Sequence, residues 1–597
     1  MDIHNLDFNH LKKNLNNAPQ GYPGPGATKI ALLSDTASQF IVQALQGYAI
    51  EFGAAYELFE ANYNQIDSQV FDPSSELYRF EPEFVVIVRS TERLLDAFYK
   101  EPSRLKPSFA EEQTAHILSL YETIKRKLKS RVIITNFPEI DDGVFGNYAN
   151  KTPYSFLFQL RKLNVSLMEM ARAQPDCLVC DVATLVHRLG YASAFDPKMY
   201  INASMVFSLE LLPWLAKSIH ELIQATKGHF KKALILDLDN TIWGGTIGDD
   251  GVEGIQIGEL GLGKIFTGIQ KWVKELVRRG ILLAICSKND EEVARALFVE
   301  HPDMILRMED IAIFVANWEN KVNNIRYIQE VLNIGFDAMV YLDDSTFERE
   351  MVTKAIPEIT APSLPEDPAQ WLIYLRELNL FETTSFTEED KNRNAQYHDA
   401  AKRVAVQRTF ENEDEFLQSL KMSSEVHPFD SFSIPRIAQL SQRSNQFNLR
   451  TVRYSEAEVS DIAANPQYLT LSFTLKDTYG DNGLIAFVVL KQEKEGLFIE
   501  NWIMSCRVLK RGMEKFMLQC LTEAALSGGQ TRLIGEYLPT NKNGLVKDHY
   551  HKLGFIPNAD GRWTLELKGA TTGISATPVP DAALGSPSYA AVHIQKK

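Results

Sequence analysis

The chain has 597 residues, 45% of them hydrophobic and 23% charged, with a formal net charge of −15. That length exceeds one hydrophobic core and calls for about three domains, and the acidic balance argues against broad nucleic-acid binding. No apolar run approaches the ~20 residues of a membrane-spanning helix, the polar, Asn-rich start has no secretory h-region, and five cysteines in this length fit a reducing, cytoplasmic compartment.

Residues 1–28 form an N-terminal extension that ends in the breaker cluster Gly21-Tyr22-Pro23-Gly24-Pro25-Gly26, read as a loop. From 29 to 225, strand-like runs at 30–33, 84–88 and 132–135 alternate with helical patterns, which predicts an α/β layer. This segment resembles an SGNH-hydrolase domain. The resemblance implies Gly-Asp-Ser at the first strand end in an active enzyme; here the residues are Ser34-Asp35-Thr36. A threonine nucleophile needs a base nearby, and Asp181 and His187 are six apart rather than in the Asp-x-x-His spacing. The domain is therefore expected to be degenerate and non-hydrolytic, with Thr36 a turn or helix-cap residue. Cys177 and Cys180 have no second pair, so they read as core or surface cysteines rather than a metal or redox motif.

The next segment, 228–375, is the most informative. Ala233 to Thr241 reads Ala-Leu-Ile-Leu-Asp-Leu-Asp-Asn-Thr, a continuous apolar run that ends in two carboxylates, Asp237 and Asp239. Such a run predicts a buried parallel strand, and ligands of open α/β sheets bind at the carboxyl ends of the strands. Two carboxylates there can hold a hard cation such as Mg2+. One can attack phosphorus while the other handles protons. Three further apolar runs follow. The first ends at Ser287-Lys288-Asn289, the second precedes Lys321, and the third closes on Asp343-Asp344. Helical patterns between them, such as Ile265, Ile269, Trp272, Val273 and Leu276 on one face before Gly280, predict a doubly wound parallel sheet.

Asp-x-Asp-x-Thr after a strand resembles the first motif of the haloacid dehalogenase (HAD) superfamily, and the later motifs follow in that superfamily's order. The resemblance implies Asp237 as nucleophile, Asp239 as general acid/base, Ser287 and Lys321 as phosphate-binding residues, and Asp237, Asp239, Asp343 and Asp344 as the Mg2+ site. Asp237 to Gly251, with Cys286-Ser287-Lys288-Asn289 and Trp318-Glu319-Asn320-Lys321, resembles FkbH-like proteins of HAD subfamily IIIC-like type. One departure stands out: that family follows its paired Asp with Asn-Pro, where this chain has Ser345-Thr346.

Residues 376–424 are charged and helical, a linker with a capping-box-like start at Thr387 and Asp390. Residues 425–568 combine strand-like runs with one long helix and resemble a GNAT-like α+β acyltransferase domain. Between the strand ending at Met504 and the helix from Met513 lies Ser505-Cys506-Arg507-Val508-Leu509-Lys510-Arg511-Gly512. A loop at a helix N-terminus can bind phosphate. With Lys510 where a GNAT glycine stands, the loop suits either the pyrophosphate of coenzyme A or the single phosphate of a phosphopantetheine arm. Arg507, Lys510, Arg511, Gly512 and Lys515 make a basic stretch that could dock an acidic carrier. Cys506 reads as an acyl-accepting nucleophile, since a neighbouring Arg and a helix N-terminus favour thiolate, or as a buried strand-end cysteine. His549 and His551 are both candidate bases. The tail 569–597, rich in Ala, Gly, Pro, Ser and Thr, reads as disordered.

The FkbH resemblance implies a bifunctional enzyme. It would take a small phosphorylated acyl substrate of the phosphoglyceryl type, remove phosphate at the HAD centre, and load the glyceryl group onto the thiol of an acyl carrier protein through Cys506. Nothing in composition or spacing points to glyceryl. A stand-alone Mg2+-dependent phosphatase, an acyl-CoA-dependent N-acyltransferase and a non-catalytic scaffold remain as alternatives.

Overall fold

The computed structural model describes residues 7–567 apart from 392, 408, 409, 411 and 510. The expected disordered tail and Lys510 lie outside the described residues. The chain divides into two compact units, one ending at Thr226 and one running from Lys227 onward.

In the first unit, β1 (Thr28–Ser34), β2 (Tyr56–Glu60), β3 (Phe84–Val88), β4 (Arg131–Thr135) and β5 (Cys177–Cys180) form a sheet in the order β2-β1-β3-β4-β5, with every pairing parallel. Strands apolar on both faces need cover on both. Ile30 and Leu32 pack into one core with helices Gln39–Glu51 and Leu212–Thr226. Ala31 and Leu33 pack into another with Phe109–Lys127 and Phe156–Ala173. Cys177 and Cys180 are buried core residues of β5. In the extension the breaker cluster is a loop, and ahead of it lies a helix, Phe8–Asn16, whose N-cap Asp7 accepts from the His10 N–H at 2.7 Å. Two buried apolar residues, Phe8 and Leu11, are too few to mark it by periodicity. It crosses helix Gln39–Glu51 at Gly47, where a Cβ would meet the Leu11 carbonyl oxygen at 2.1 Å.

The second unit holds two sheets. β6 (Ala233–Leu236), β7 (Leu282–Ser287), β8 (Ile311–Ala316) and β9 (Met339–Leu342) form an all-parallel sheet in the order β8-β7-β6-β9. The register pairs Leu236 with Ile285 and with Leu342. Asp237 and Asp343 therefore emerge level with each other at the carboxyl edge, with Ser287 close by on β7.

The other sheet contains β10 (Val426–His427), β11 (Tyr468–Asp477), β12 (Gly480–Glu493), β13 (Gly496–Met504), β14 (Arg532–Gly535), β15 (Ile556–Pro557) and β16 (Trp563–Glu566), in the order β10-β11-β12-β13-β14-β16-β15. All its pairings are antiparallel except β13 with β14, which touch only at Leu497–Leu533 and Phe498–Ile534. Helix Met513–Ser527 makes that crossover. Farther along β13, the free edge is taken by the chain itself. Met504 N–H donates to the Phe447 carbonyl at 3.2 Å, and Leu449 N–H donates to the Trp502 carbonyl at 3.4 Å.

The stretch 376–424, expected as a linker between two domains, joins these two sheets into one unit. Its helix Arg393–Gln407 packs on β7, β8 and β12. Buried Asn394 accepts from the Leu283 N–H at 3.1 Å and donates to the Ile281 carbonyl at 2.9 Å, continuing the amide pattern at the start of β7. On the other side Arg403 pairs with buried Asp477 of β11 at 2.9 Å. Asn394→Leu keeps volume but leaves two buried backbone groups unpaired, so it should cost about 2–5 kcal/mol in urea unfolding. A loss below about 1 kcal/mol would mean that this helix does not tie the sheets together.

Candidate functional site

The carboxyl edge of the central sheet gathers charge. Asp237, the first residue past β6, is buried, and its amide donates to the Leu342 carbonyl at 3.0 Å. Lys321 opens the helix Lys321–Leu332, which is capped by Asn320 accepting from the Val322 N–H at 2.8 Å. That cap aims the lysine back at the sheet: its Nζ lies 2.9 Å from Asp237 Oδ1 and 2.6 Å from Asp343 Oδ2. Asp343 also accepts from the Ser345 N–H at 2.8 Å and from the Tyr341 hydroxyl.

Asp239 is held differently. Its Oδ1 accepts from Trp243 Nε1 at 2.9 Å and the Ile247 N–H at 3.1 Å, and its Oδ2 accepts from Asn289 Nδ2 at 3.0 Å. Asn289 also donates to Ser287 Oγ at 3.1 Å, which ties the phosphate-binding candidate to the acid/base candidate. The chain turns back between these groups at Asn240, with φ 53, a left-handed conformation that asparagine tolerates.

Oxygens of Asp237, Asp343 and Asp344 lie within 4.8 Å of one another, the first two buried and Asp344 partly exposed. Three carboxylates make an all-oxygen set that suits a small hard cation. The Asp239 carboxylate is not in this group; its oxygens are occupied by the three donors above. Burial pushes the Asp237 carboxyl up to about 6, against the pull of Lys321 and with a further push from Asp343. Burial alone would lower the Lys321 ammonium, but Asp237 and Asp343 outweigh it and hold the group well above its ordinary range. Asp344 is raised by burial and by Asp343.

A second centre lies at the amino edge of the same sheet. Cys506 sits in a short 3-10 turn, Cys506–Val508, just after β13; it is half-buried, whereas the other four cysteines are buried. Its carbonyl accepts from Asn333 Nδ2 at 2.9 Å, and its Sγ is 3.9 Å from the Tyr397 hydroxyl. It lines a cavity of about 390 Å³ together with Lys231 and Lys232, which precede β6, and Asn333, Asp337 and Ala338, which precede β9. Lys232 and Asp237 stand at opposite ends of β6, about 16 Å apart at ~3.3 Å per residue.

The family model for the FkbH N-terminal domain matches residues 29–224. Among solved structures, the N-terminal part of protein BF1531 from Bacteroides fragilis, containing a phosphatase domain complexed with Mg, is 46% identical. The match covers 64% of this chain and 100% of that one, with a TM-score of 0.61. The chain belongs to the FkbH family. Smaller parts are similar to the ribosomal-protein-S18-alanine N-acetyltransferase from Escherichia coli (17% identity, 26% of this chain and 99% of that one, TM-score 0.20). They are also similar to the IAA acetyltransferase from Bacillus cereus (18% identity, 24% and 100%, TM-score 0.19). At those scores the likeness carries no functional content. No curated protein matches significantly.

In this FkbH chain, Ser345 takes a definite role where the family has Asn: it caps helix Thr346–Ala355, accepting from the Glu348 N–H at 3.4 Å. Two residues not singled out from the sequence brace the edge. Arg349 donates to the carbonyls of Asp343 and Asp344 at 2.6 and 2.9 Å, and Asn289 joins Asp239 to Ser287. Both lie inside the motif strings; only the folded turn shows where they point.

The remaining candidates are placed as follows. Thr36 is buried in a turn, its N–H donating to Ser34 Oγ at 3.1 Å. The cap position of the next helix belongs to Ser38, so Thr36 is not a cap. Asp181 caps helix Val182–Leu189, with His187 in that helix's last turn. The basic loop does not present Arg507 and Arg511 as a surface patch. Arg507 lines the Cys506 cavity and bonds Gln396, while Arg511 pairs with Asp477 at 3.1 Å. Gly512, with φ 73, takes the left-handed N-cap position of helix Met513–Ser527. His549 is buried edge-on against Trp502 and Phe447, ring centroids 4.6 and 5.0 Å away, and His551 is exposed. Neither lines the cavity; the histidine that does is His229, pushed down to about 4 by burial and by Lys542.

Burial pushes the His549 imidazole from 6.5 down to about 3, with Lys552 adding to the effect. The unfolded chain therefore takes up a proton that the folded chain refuses. Stability is fully present above pH 6.5 and falls as pH drops toward 3, at about 1.4 kcal/mol per pH unit. His549→Phe keeps the ring packing and should flatten that part of the stability–pH curve relative to wild type. An unchanged difference between pH 7 and 4 in urea titrations would mean that His549 titrates freely.

Proposed function

We propose that this FkbH protein is a HAD-type, Mg2+-dependent phosphatase coupled to acyl transfer onto an acyl carrier protein. The observation that carries the phosphatase half is the Lys321 ammonium set between the buried carboxylates of Asp237 and Asp343, with Asp344 beside them. Asp237, Asp343 and Asp344 are the residues that would hold Mg2+, the ion in the Bacteroides relative. When bound, the ion supplies positive charge for a phosphate entering an acidic edge. Asp237 attacks phosphorus, and the bond to the ester oxygen breaks as Asp239 gives that oxygen a proton. Water then attacks the aspartyl phosphate and returns a proton to Asp239, releasing phosphate and restoring Asp237. Ser287 and Lys321 hold the phosphoryl oxygens. Asn289, Trp243 and the Ile247 amide keep Asp239 in place.

The acyl half rests on Cys506, the one half-buried cysteine, which lines a cavity. Its thiolate attacks the carbonyl of an acyl phosphate, the C–S bond forms and the C–O bond to phosphate breaks. The thiolate of the carrier's pantetheine arm then takes the acyl group, and Cys506 leaves as thiolate. A phosphoglyceryl acyl phosphate satisfies both centres, with one phosphate leaving at Cys506 and the monoester hydrolysed at Asp237. The N-terminal domain, read as SGNH-like, needs no chemistry in this scheme. The acyl-CoA N-acyltransferase reading is disfavoured because the β13 edge at Trp502 and Met504 is already paired with Phe447 and Leu449.

Asp237→Asn should lower phosphate release from a small phosphomonoester by about a thousandfold or more, and chelation should do the same, with activity restored by Mg2+. Activity within about tenfold of wild type would remove the HAD mechanism. Cys506→Ser should stop carrier loading, read by intact mass of the carrier, while phosphate release persists. A serine variant that loads the carrier at the normal rate would replace the covalent route with direct transfer.

A further inference from the structure

The Cys506 cavity carries an unusual charge. Seven Lys and Arg residues line it against three carboxylates, Asp337, Glu389 and Asp390, in a chain whose overall charge is −15. Each carboxylate already has a cation: Asp337 pairs with Lys542, Glu389 with Arg436 and Asp390 with Arg443. The other four cations, among the described residues, bond neutral groups. Lys231 donates to the Asp337 carbonyl at 2.7 Å and Lys232 to the Arg443 carbonyl at 2.8 Å. Arg393 donates to the Gly280 carbonyl at 3.4 Å, and Arg507 reaches Gln396, Ser505 and the Asn482 carbonyl.

Cations that outnumber the carboxylates in a half-buried space raise the energy of one another. Burial pushes the Lys232 ammonium down to about 8; Cys506 and Asp337 pull it back up, while Arg393 and Arg443 push it down. Burial likewise lowers Arg443 to about 9, with Arg393 adding to it and its partner Asp390 opposing it. An anion entering the cavity would relieve both penalties at once. The cavity volume, about 390 Å³, is in the range of small-molecule sites.

We propose that this cavity is a phosphate-binding site, separate from the acidic edge, that holds a phosphate ester or acyl phosphate dianion beside the Cys506 thiol. Lys231, Lys232, Arg393 and Arg507 supply its charge. The link to acyl transfer rests on the function proposed for Cys506; the anion site itself does not. Phosphate is then recognised twice on one sheet, by an excess of cations at the amino edge and by the acidic set at the carboxyl edge. The dianion has two sources, a small acyl donor or the phosphopantetheine arm of a carrier.

The test is the rate of Cys506 alkylation by iodoacetamide in the full chain, followed by peptide mass, with chelator present to disable the acidic edge. Inorganic phosphate should slow alkylation in wild type, while chloride at equal ionic strength should not. Lys232→Gln should raise the half-protecting phosphate concentration by about tenfold. Lys231→Gln tests the same charge if the first variant does not fold. Protection by glycerol 3-phosphate at lower concentration than by phosphopantetheine assigns the site to the donor, and the reverse assigns it to the carrier arm. Equal protection by phosphate and chloride overturns the proposal, as does phosphate protection that is unchanged in the folded variants. Protection without any acyl adduct on Cys506 would leave the anion site standing and remove the covalent acyl-transfer reading. An adduct without phosphate protection would do the opposite.

Discussion

Two carboxylates cannot be buried side by side at the end of a parallel sheet without positive charge between them. The Lys321 ammonium meets that need, 2.9 Å from Asp237 and 2.6 Å from Asp343. Everything at the carboxyl edge is arranged around it. The Asn320 cap orients the lysine, Arg349 pins the backbone of Asp343 and Asp344, and Asp239 is drawn aside by Trp243, Ile247 and Asn289. The result is one carboxylate buried against an ammonium, one held by three donors, and a set of oxygens close enough together to share a cation.

The same four strands carry opposite charge at their two ends. Acids collect where β6 and β9 end, and Lys231 and Lys232 stand where β6 begins. A strand run of about 16 Å separates the edges, so the nucleophile candidates Asp237 and Cys506 do not share a chamber. Under the proposed function, an acyl group that visits both would have to travel between them.

The helix Arg393–Gln407 makes the second centre possible. It completes the β7 amide pattern through Asn394, places Tyr397 against Cys506, and meets β11 through Arg403 and Asp477. A segment that reads as a linker from its charge is therefore the wall that brings the central sheet and the Cys506 turn together. Asn394 and Arg403 are spent on buried partners, which composition does not reveal.

The sequence by itself determined the acidic edge. In a parallel sheet every strand points the same way, so a residue just past an apolar run must lie at the carboxyl edge, and Asp237, Ser287, Lys321 and Asp343 could be placed there by local pattern alone. The sheet type followed from the same strand–helix alternation. The remaining placements came from packing. Asp239 turns from metal ligand candidate to a donor-held carboxylate because Asn289 and Trp243 fold over it. Arg507 and Arg511 turn inward because a cavity and Asp477 lie beneath a loop that looks like exposed basic surface. The Cys506 cavity is built from residues near 230, 335, 393, 440 and 506. No periodicity or spacing links positions so far apart; packing of the helical segment between two sheets does.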